Sequence, residues 1–220
     1  MNARSHLLEL EVEGRQVNEA VLSLFHTLLF HRSTGKFHYY NDNKYAIGTI
    51  GYQDVDCDFI DFTYVRCCSE ELDRYVKQQV NTFCEQIKAP GAPSSGQISI
   101  EFYRCKRGRW PFASESISWE VWNLRVKVVS LRTEYERRVW REKVGEALGD
   151  RLLQITELLN GHDYMPSSPH QAELDLIYDT AYPDVQPFLF KINHNLNTPS
   201  ISSVTTTVKN LIRDTLYTRA

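Results

Sequence analysis

The residues able to do chemistry are scattered along this chain, and their spacing argues against most of the chemistry they suggest. Asp54, Asp56 and Asp58 match the first three ligand positions of a calcium loop. Phe59 then stands where the turn glycine belongs, and Val65 where the bidentate glutamate belongs. A solvated stretch leading into a strand fits better. Thr34-Gly-Lys36 resembles the end of a phosphate loop, but Phe30 occupies the earlier glycine position and a helix precedes it instead of a strand. That makes it a turn. His26, His31 and His38 lack metal-type spacing and have no carboxylates three or four residues on. A buried or helix-end imidazole is the default for each, with His31 able to titrate at an interface. Cys67 and Cys68 are adjacent and read as two reduced thiols. No nucleophile elbow and no kinase signature is present. The sequence predicts no catalytic residue, no metal and no cofactor.

The chemistry that remains is recognition. Arg104-Cys-Lys-Arg-Gly-Arg-Trp-Pro-Phe112 sits between two strand patterns, where small polar turn residues would be the ordinary choice. Trp110 and Phe112 are two apart, so in an extended segment both rings point the same way, and Pro111 biases Trp110 toward that conformation. Each ring covers ~150–250 Å² when buried. The rings either fold into the protein's own core as a wide turn or stand out as anchors for another protein. Residue physics leaves both readings open.

The strands that must position this tip are clear. Ile98, Ile100 and Phe102 alternate with polar neighbours, as do Ile117, Trp119 and Val121. After Val121 the apolar phase slips by one, with Trp122, Leu124, Val126 and Val128 taking over. A one-residue slip turns every side chain to the other face, so the sequence predicts a bulge near Val121–Trp122. Upstream, Leu8–Val12 predicts a short strand and Gln16–Phe30 a helix. Phe37–Tyr40 and Tyr45–Ile50 predict a hairpin turned at Asn41-Asp-Asn43, and Asp58–Arg66 a central strand. Ser69 predicts an N-cap for a helix whose stripe is Leu72, Val76, Val80, Phe83 and Ile87. Thr133 and Glu136 form a capping-box signature for a third helix reaching about Asn160. Gly145 and Gly149 on that helix cost ~1 kcal/mol each relative to Ala, which predicts close approach of another backbone. Phe188–Ile192 and Ser202–Thr207 are strand candidates, and Val208–Leu216 a short helix.

Composition sets the class. A chain of 220 residues with 42% hydrophobic and 24% charged residues supports an ordinary globular core. A net charge of −3 gives no electrostatic footprint for nucleic acid. No run approaches the ~18 apolar residues a membrane span needs. The N-terminus has no apolar leader, and five cysteines without C-x-x-C spacing suit a reducing compartment, so the expectation is a cytoplasmic protein. Hairpins with three inserted helices give an α+β class, read as one domain over residues 1–220.

Taken in order, these strings resemble the autophagy-related protein 101 family. They include Val12-Glu-Gly-Arg-Gln-Val17, His31-Arg-Ser-Thr-Gly-Lys-Phe-His-Tyr39, Ser69-Glu-Glu-Leu-Asp-Arg74, Arg109-Trp-Pro-Phe112, Trp119-Glu-Val-Trp122 and Asp184-Val-Gln-Pro187. The resemblance implies a HORMA fold: a central antiparallel sheet, three packed helices and a C-terminal safety-belt segment, here 162–220. It implies a non-catalytic adaptor of the autophagy-initiating kinase complex, paired with the HORMA domain of autophagy-related protein 13 and stabilising it. The family's Trp/Phe finger maps onto Trp110, Pro111 and Phe112, which implies exposed rings that recruit downstream autophagy factors. It further implies a cytoplasmic chain recruited to the phagophore assembly site. By analogy with other HORMA pairs, the third helix is expected to form part of the partner face. The alternative is a peptide-clasping HORMA module with a mobile belt.

Overall fold

The computed structural model describes residues 3–41, 44–108, 114–160, 164–167 and 170–195. Its main sheet is built from β1 (Arg4–Glu13), β7 (Ser95–Lys106), β8 (Glu115–Val129) and β10 (Phe190–Asn195), in the order β1-β8-β7-β10. Alternation decides the two faces. Leu8, Leu10, Val12, Ile98, Ile100, Phe102, Leu124 and Ile192 are buried on the inner one. The outer face carries charged pairs such as Arg125–Glu9 and Lys127–Glu11, each 2.6 Å. Such exposed pairs stabilise by less than ~1 kcal/mol each, so this sheet is held from its inner side.

What it packs on is helix α1 (Val17–His31). Between Val17 and Leu29 nearly every side chain is buried, because α1 contacts β1 and β8 on one side and helices α2 (Glu70–Lys88) and α3 (Glu134–Leu159) on others. A hairpin of β5 (Tyr52–Asp56) and β6 (Thr63–Cys67) also packs on it. A helix apolar on all sides belongs inside. Its internal hydroxyls are satisfied locally: Ser23 Oγ donates to the Ala20 carbonyl at 3.0 Å and Thr27 Oγ1 to the Ser23 carbonyl at 2.7 Å. Helix α2 buries the stripe Leu72, Val76, Val80, Phe83 and Ile87, as its spacing predicts. Two small pairings complete the architecture, β3 (Phe37–Asn41) with β4 (Lys44–Ile47), and β2 (Ser33–Thr34) with β9 (Gln186–Pro187).

The class is α+β, with several corrections to the expected detail. The sheet is mixed, not wholly antiparallel: β1 runs parallel to β8, since the chain returns through the long α1–α2 excursion and needs no hairpin there. The bulge lies at Trp119, where Phe102 pairs with Glu120 and Tyr103 with Ser118, not at Val121–Trp122. The phase slips earlier because Glu120, 0% exposed, sits in the apolar register. Asp58–Arg66 is not one central strand, because 58–62 forms the turn between β5 and β6 with Ile60 buried at its heart. Ser69 occupies the N-cap of α2 without making a side-chain cap bond. Thr133 and Glu136 do form the reciprocal box that opens α3. On α3, Val139 is exposed whereas Val144, Leu148, Ile155 and Leu159 are buried. Residues 202–207 and 208–216 lie outside the described residues.

Candidate functional site

Beyond the Trp119 bulge, β7 and β8 continue as a two-stranded arm through the pairs Tyr103–Ser118 to Lys106–Glu115. Among the described residues of its end, Lys106, Arg107, Gly108 and Ser114–Ser116 are all exposed. Trp110, Pro111 and Phe112 lie outside the described residues. The root of the arm is fixed by rings. Trp119 packs on Phe102 (centroids 5.7 Å), on Phe188 edge-on (5.1 Å) and on Tyr164 (6.1 Å). The C-terminal segment braces it further. The Tyr103 amide donates to the Leu189 carbonyl at 2.9 Å, and Arg107 Nη2 to the Ala172 carbonyl at 2.6 Å. Phe102, Trp119 and Trp122, apolar positions of the two strand patterns, are buried.

A second surface lies on α3. An apolar groove of about 380 Å³ is lined by Phe30 and His31 of α1, Tyr52 and Val65 of the β5–β6 hairpin, and Leu152 and Thr156 of α3. Partial burial and the charge of Arg32 lower the pKa of His31, which favours a neutral ring in the groove wall. Tyr52 stands 68% exposed at its edge.

Between these surfaces lies a buried polar knot that alternation could not foresee. Arg32, 1% exposed, follows the last turn of α1 and points at Glu120. Its Nε and Nη2 donate to Glu120 Oε2 at 3.0 and 2.8 Å, and Nη2 also donates to Tyr164 Oη at 3.0 Å. Tyr164 Oη donates on to Glu120 Oε2 at 3.1 Å, and Trp122 Nε1 donates to Glu120 Oε1. The Arg32 carbonyl accepts from the Phe188 amide at 2.9 Å. One residue thereby joins α1, the bulge of β8, the chain after α3 and the C-terminal segment. The available signal was a charged residue at the break in the alternation of β8.

The remaining candidates are dispersed. His26 is buried against Asp73, His31 lines the α3 groove and His38 is exposed on β3. Among the described residues no group of His, Cys, Asp and Glu suits a metal ion. Asp56 accepts from Thr63 Oγ1 at 2.6 Å across the hairpin, a structural bond. Gly35, in the two-residue link between β2 and β3, packs its α-carbon against the Gly48 carbonyl, where any Cβ would collide. All five cysteines are free thiols. Burial, with Glu19, Asp56 and Asp58 nearby, pushes Cys57 up to about 12, and burial pushes Cys67 up to about 11. Neither is a thiolate at neutral pH.

The geometry therefore offers surfaces for binding: a braced arm, a groove and an internal knot tying them together. Comparison with known proteins points to one family. The family model for autophagy-related protein 101 matches residues 9–172. Autophagy-related protein 101 of Xenopus tropicalis and that of Homo sapiens are each 54% identical to this chain over 216 residues, 98% of it and 99% of the relative. The Arabidopsis thaliana protein of the same name is 30% identical over 126 residues, 56% of this chain and 52% of the relative.

Proposed function

The chain belongs to the autophagy-related protein 101 family, and from that membership we propose that it is a non-catalytic adaptor subunit of the autophagy-initiating kinase complex. Membership gives the role in autophagy. The finer reading is a single HORMA domain over 1–220, with 162–220 as its safety-belt segment. It pairs with and stabilises the HORMA domain of autophagy-related protein 13 and recruits downstream factors through Trp110, Pro111 and Phe112. It works in the cytoplasm and is recruited to the phagophore assembly site.

The observation that carries this reading is the arm. Two strands run past the last core contact, and their root is fixed by Trp119, Phe102 and Phe188. A rigid mount keeps the entropy cost of presenting anchors low, and a Trp anchor is worth ~2 kcal/mol or more when truncated. The groove beside α3 supports that helix as part of the partner face. The clasping alternative is less well supported, since β9 and β10 are already paired with β2 and β7.

Two measurements test it. Size-exclusion with light scattering, alone and with the HORMA domain of autophagy-related protein 13, is expected to give a one-to-one complex. The double variant Trp110→Ala, Phe112→Ala is expected to fold and pair normally yet lose recruitment of later factors. A folded double variant that still recruits them rules the finger out.

A further inference from the structure

We propose that the cavity between the β1–α1 turn, the 58–62 loop and the first turns of α3 binds a phosphorylated serine or threonine in a peptide segment of a protein partner. The cavity holds about 190 Å³ and is lined by four guanidiniums, those of Arg15, Arg137, Arg138 and Arg141.

Their charges are only partly compensated. Glu13 is held between Arg15 Nε at 3.0 Å and Arg137 Nε at 3.6 Å. Asp61 is held by Arg141 through Nε at 3.1 Å and Nη2 at 2.9 Å. Those two fixed carboxylates neutralise two of the four cations. Glu134, the third, pairs with Arg137 from the rim with its side chain 82% exposed, so an incoming anion can displace it. Arg138 has no carboxylate partner among the described residues, only the face of Tyr135 at 5.7 Å. With Glu134 displaced, two positive charges remain. A carboxylate ligand would match one of them. A phosphate monoester, carrying about −1.5 to −2 at neutral pH and three acceptor oxygens, matches both.

The cavity is built before any ligand arrives. Gln16, 3% exposed, donates from Nε2 to the Phe59 carbonyl at 2.9 Å and accepts the Glu13 amide at 3.0 Å. Glu19 accepts the Asp58 and Phe59 amides at 2.8 and 2.9 Å, and Arg141 Nη1 donates to the Asp58 carbonyl at 2.6 Å. A floor pinned from three elements loses little freedom on binding.

A peptide fits better than a membrane headgroup. Phe59 and Leu131 give apolar wall to side chains flanking the phosphoresidue. Glu134 at the rim, even when swung off Arg137, repels an anionic bilayer and favours a peptide with basic residues outside its apolar flank.

The test uses the full chain and a fluorescein-labelled pentapeptide with phosphoserine between two leucines and a lysine at each end, read by anisotropy in 150 mM salt. The phosphorylated peptide is expected to bind at least ten-fold more tightly than its unphosphorylated twin, with inorganic phosphate competing at millimolar concentration. The surface double variant Arg15→Gln, Arg138→Gln is expected to weaken it at least ten-fold, while Lys127→Gln on the outer sheet face changes nothing. Should the double variant lower the melting temperature, Arg138→Gln alone, which breaks no ion pair, reads the same loss. Trp110→Ala with Phe112→Ala is expected to bind the peptide normally, which separates this site from the finger. Equal affinity for the two peptides, or full binding by the variants, overturns the proposal. So does a flat peptide response with variant-sensitive sedimentation on phosphatidylcholine vesicles containing 5% phosphatidylinositol phosphate, which would reassign the cavity to a lipid headgroup.

Discussion

At Asp73 one carboxylate gathers an imidazole and two cations. His26 Nε2 lies 3.2 Å from Oδ1, while Arg66 Nη1 and Lys77 Nζ lie 2.8 and 2.7 Å from Oδ2. Burial alone would raise its pKa, but His26, Lys77 and Arg66 outweigh burial and hold it at about 2. Since the folded value lies below the ordinary 3.8, the stabilisation is complete above about pH 4 and fades as pH falls toward 2. The shift corresponds to about 2 kcal/mol. Asp73→Asn is expected to lose that much at pH 7 in urea unfolding, with the gap to the native protein narrowing below pH 4. A gap that ignores pH would show the carboxylate's charge to be irrelevant. Burial lowers the pKa of His26 despite Asp73, so stability also declines as pH falls below the ordinary value of 6.5, where the unfolded imidazole takes up a proton. The Arg32–Glu120 pair makes a different claim. Arg32→Met alone strands a buried carboxylate and is expected to cost ~3–5 kcal/mol. Adding Glu120→Gln removes the stranded charge while keeping an acceptor for Trp122 and Tyr164, so the double variant is expected to unfold at higher urea than the single one. If the double variant is no better, the loss lies in packing of the arginine stem and not in charge.

Among the elements, α3 gives the sharpest contrast. Its two glycines look alike in sequence, and both were expected to admit a neighbouring backbone. Only Gly145 does so. A Cβ there would sit 2.5 Å from the Asp61 carbonyl oxygen, whereas at Gly149 the nearest atom is a ring carbon of Phe62 at 4.0 Å. Gly149→Ala is therefore expected to stabilise by up to ~1 kcal/mol through helix propensity. Gly145→Ala is expected to destabilise by ~1–3 kcal/mol, because the 58–62 loop must lift off the helix. Denaturant midpoints of the two variants shifting in the same direction would refute the distinction. The capping box and the stripe of α2 were legible because they depend on residues three or four apart. The bulge was misplaced for the opposite reason: Glu120 is inward only because Arg32, 88 positions away, meets it.

The whole molecule presents the α3 groove and the arm at sites set by one shared knot. Partner binding at the groove should raise the melting temperature with partner concentration by mass action. Tyr52→Ala, at an exposed groove edge, is expected to weaken the proposed pairing with the HORMA domain of autophagy-related protein 13 about ten-fold, as truncating an aromatic anchor does, while leaving the melting temperature of the isolated chain unchanged. Calorimetric titration of the variant checks both. Unchanged affinity would move the partner face away from this groove.

Local order in the sequence determined the α+β class, the helices, the paired strands β7 and β8 and the basic aromatic stretch between them, since periodicity and capping act within a few residues. The family also was legible, because its distinctive strings recur in order along the chain. Tertiary structure alone decided that β1 lies parallel beside β8, that Glu120 turns inward, that 58–62 is a pinned loop and that Arg15 joins three arginines of α3 at one cavity. Those outcomes depend on contacts between residues tens of positions apart, and no pattern read along the chain encodes which distant charge will be there to meet them.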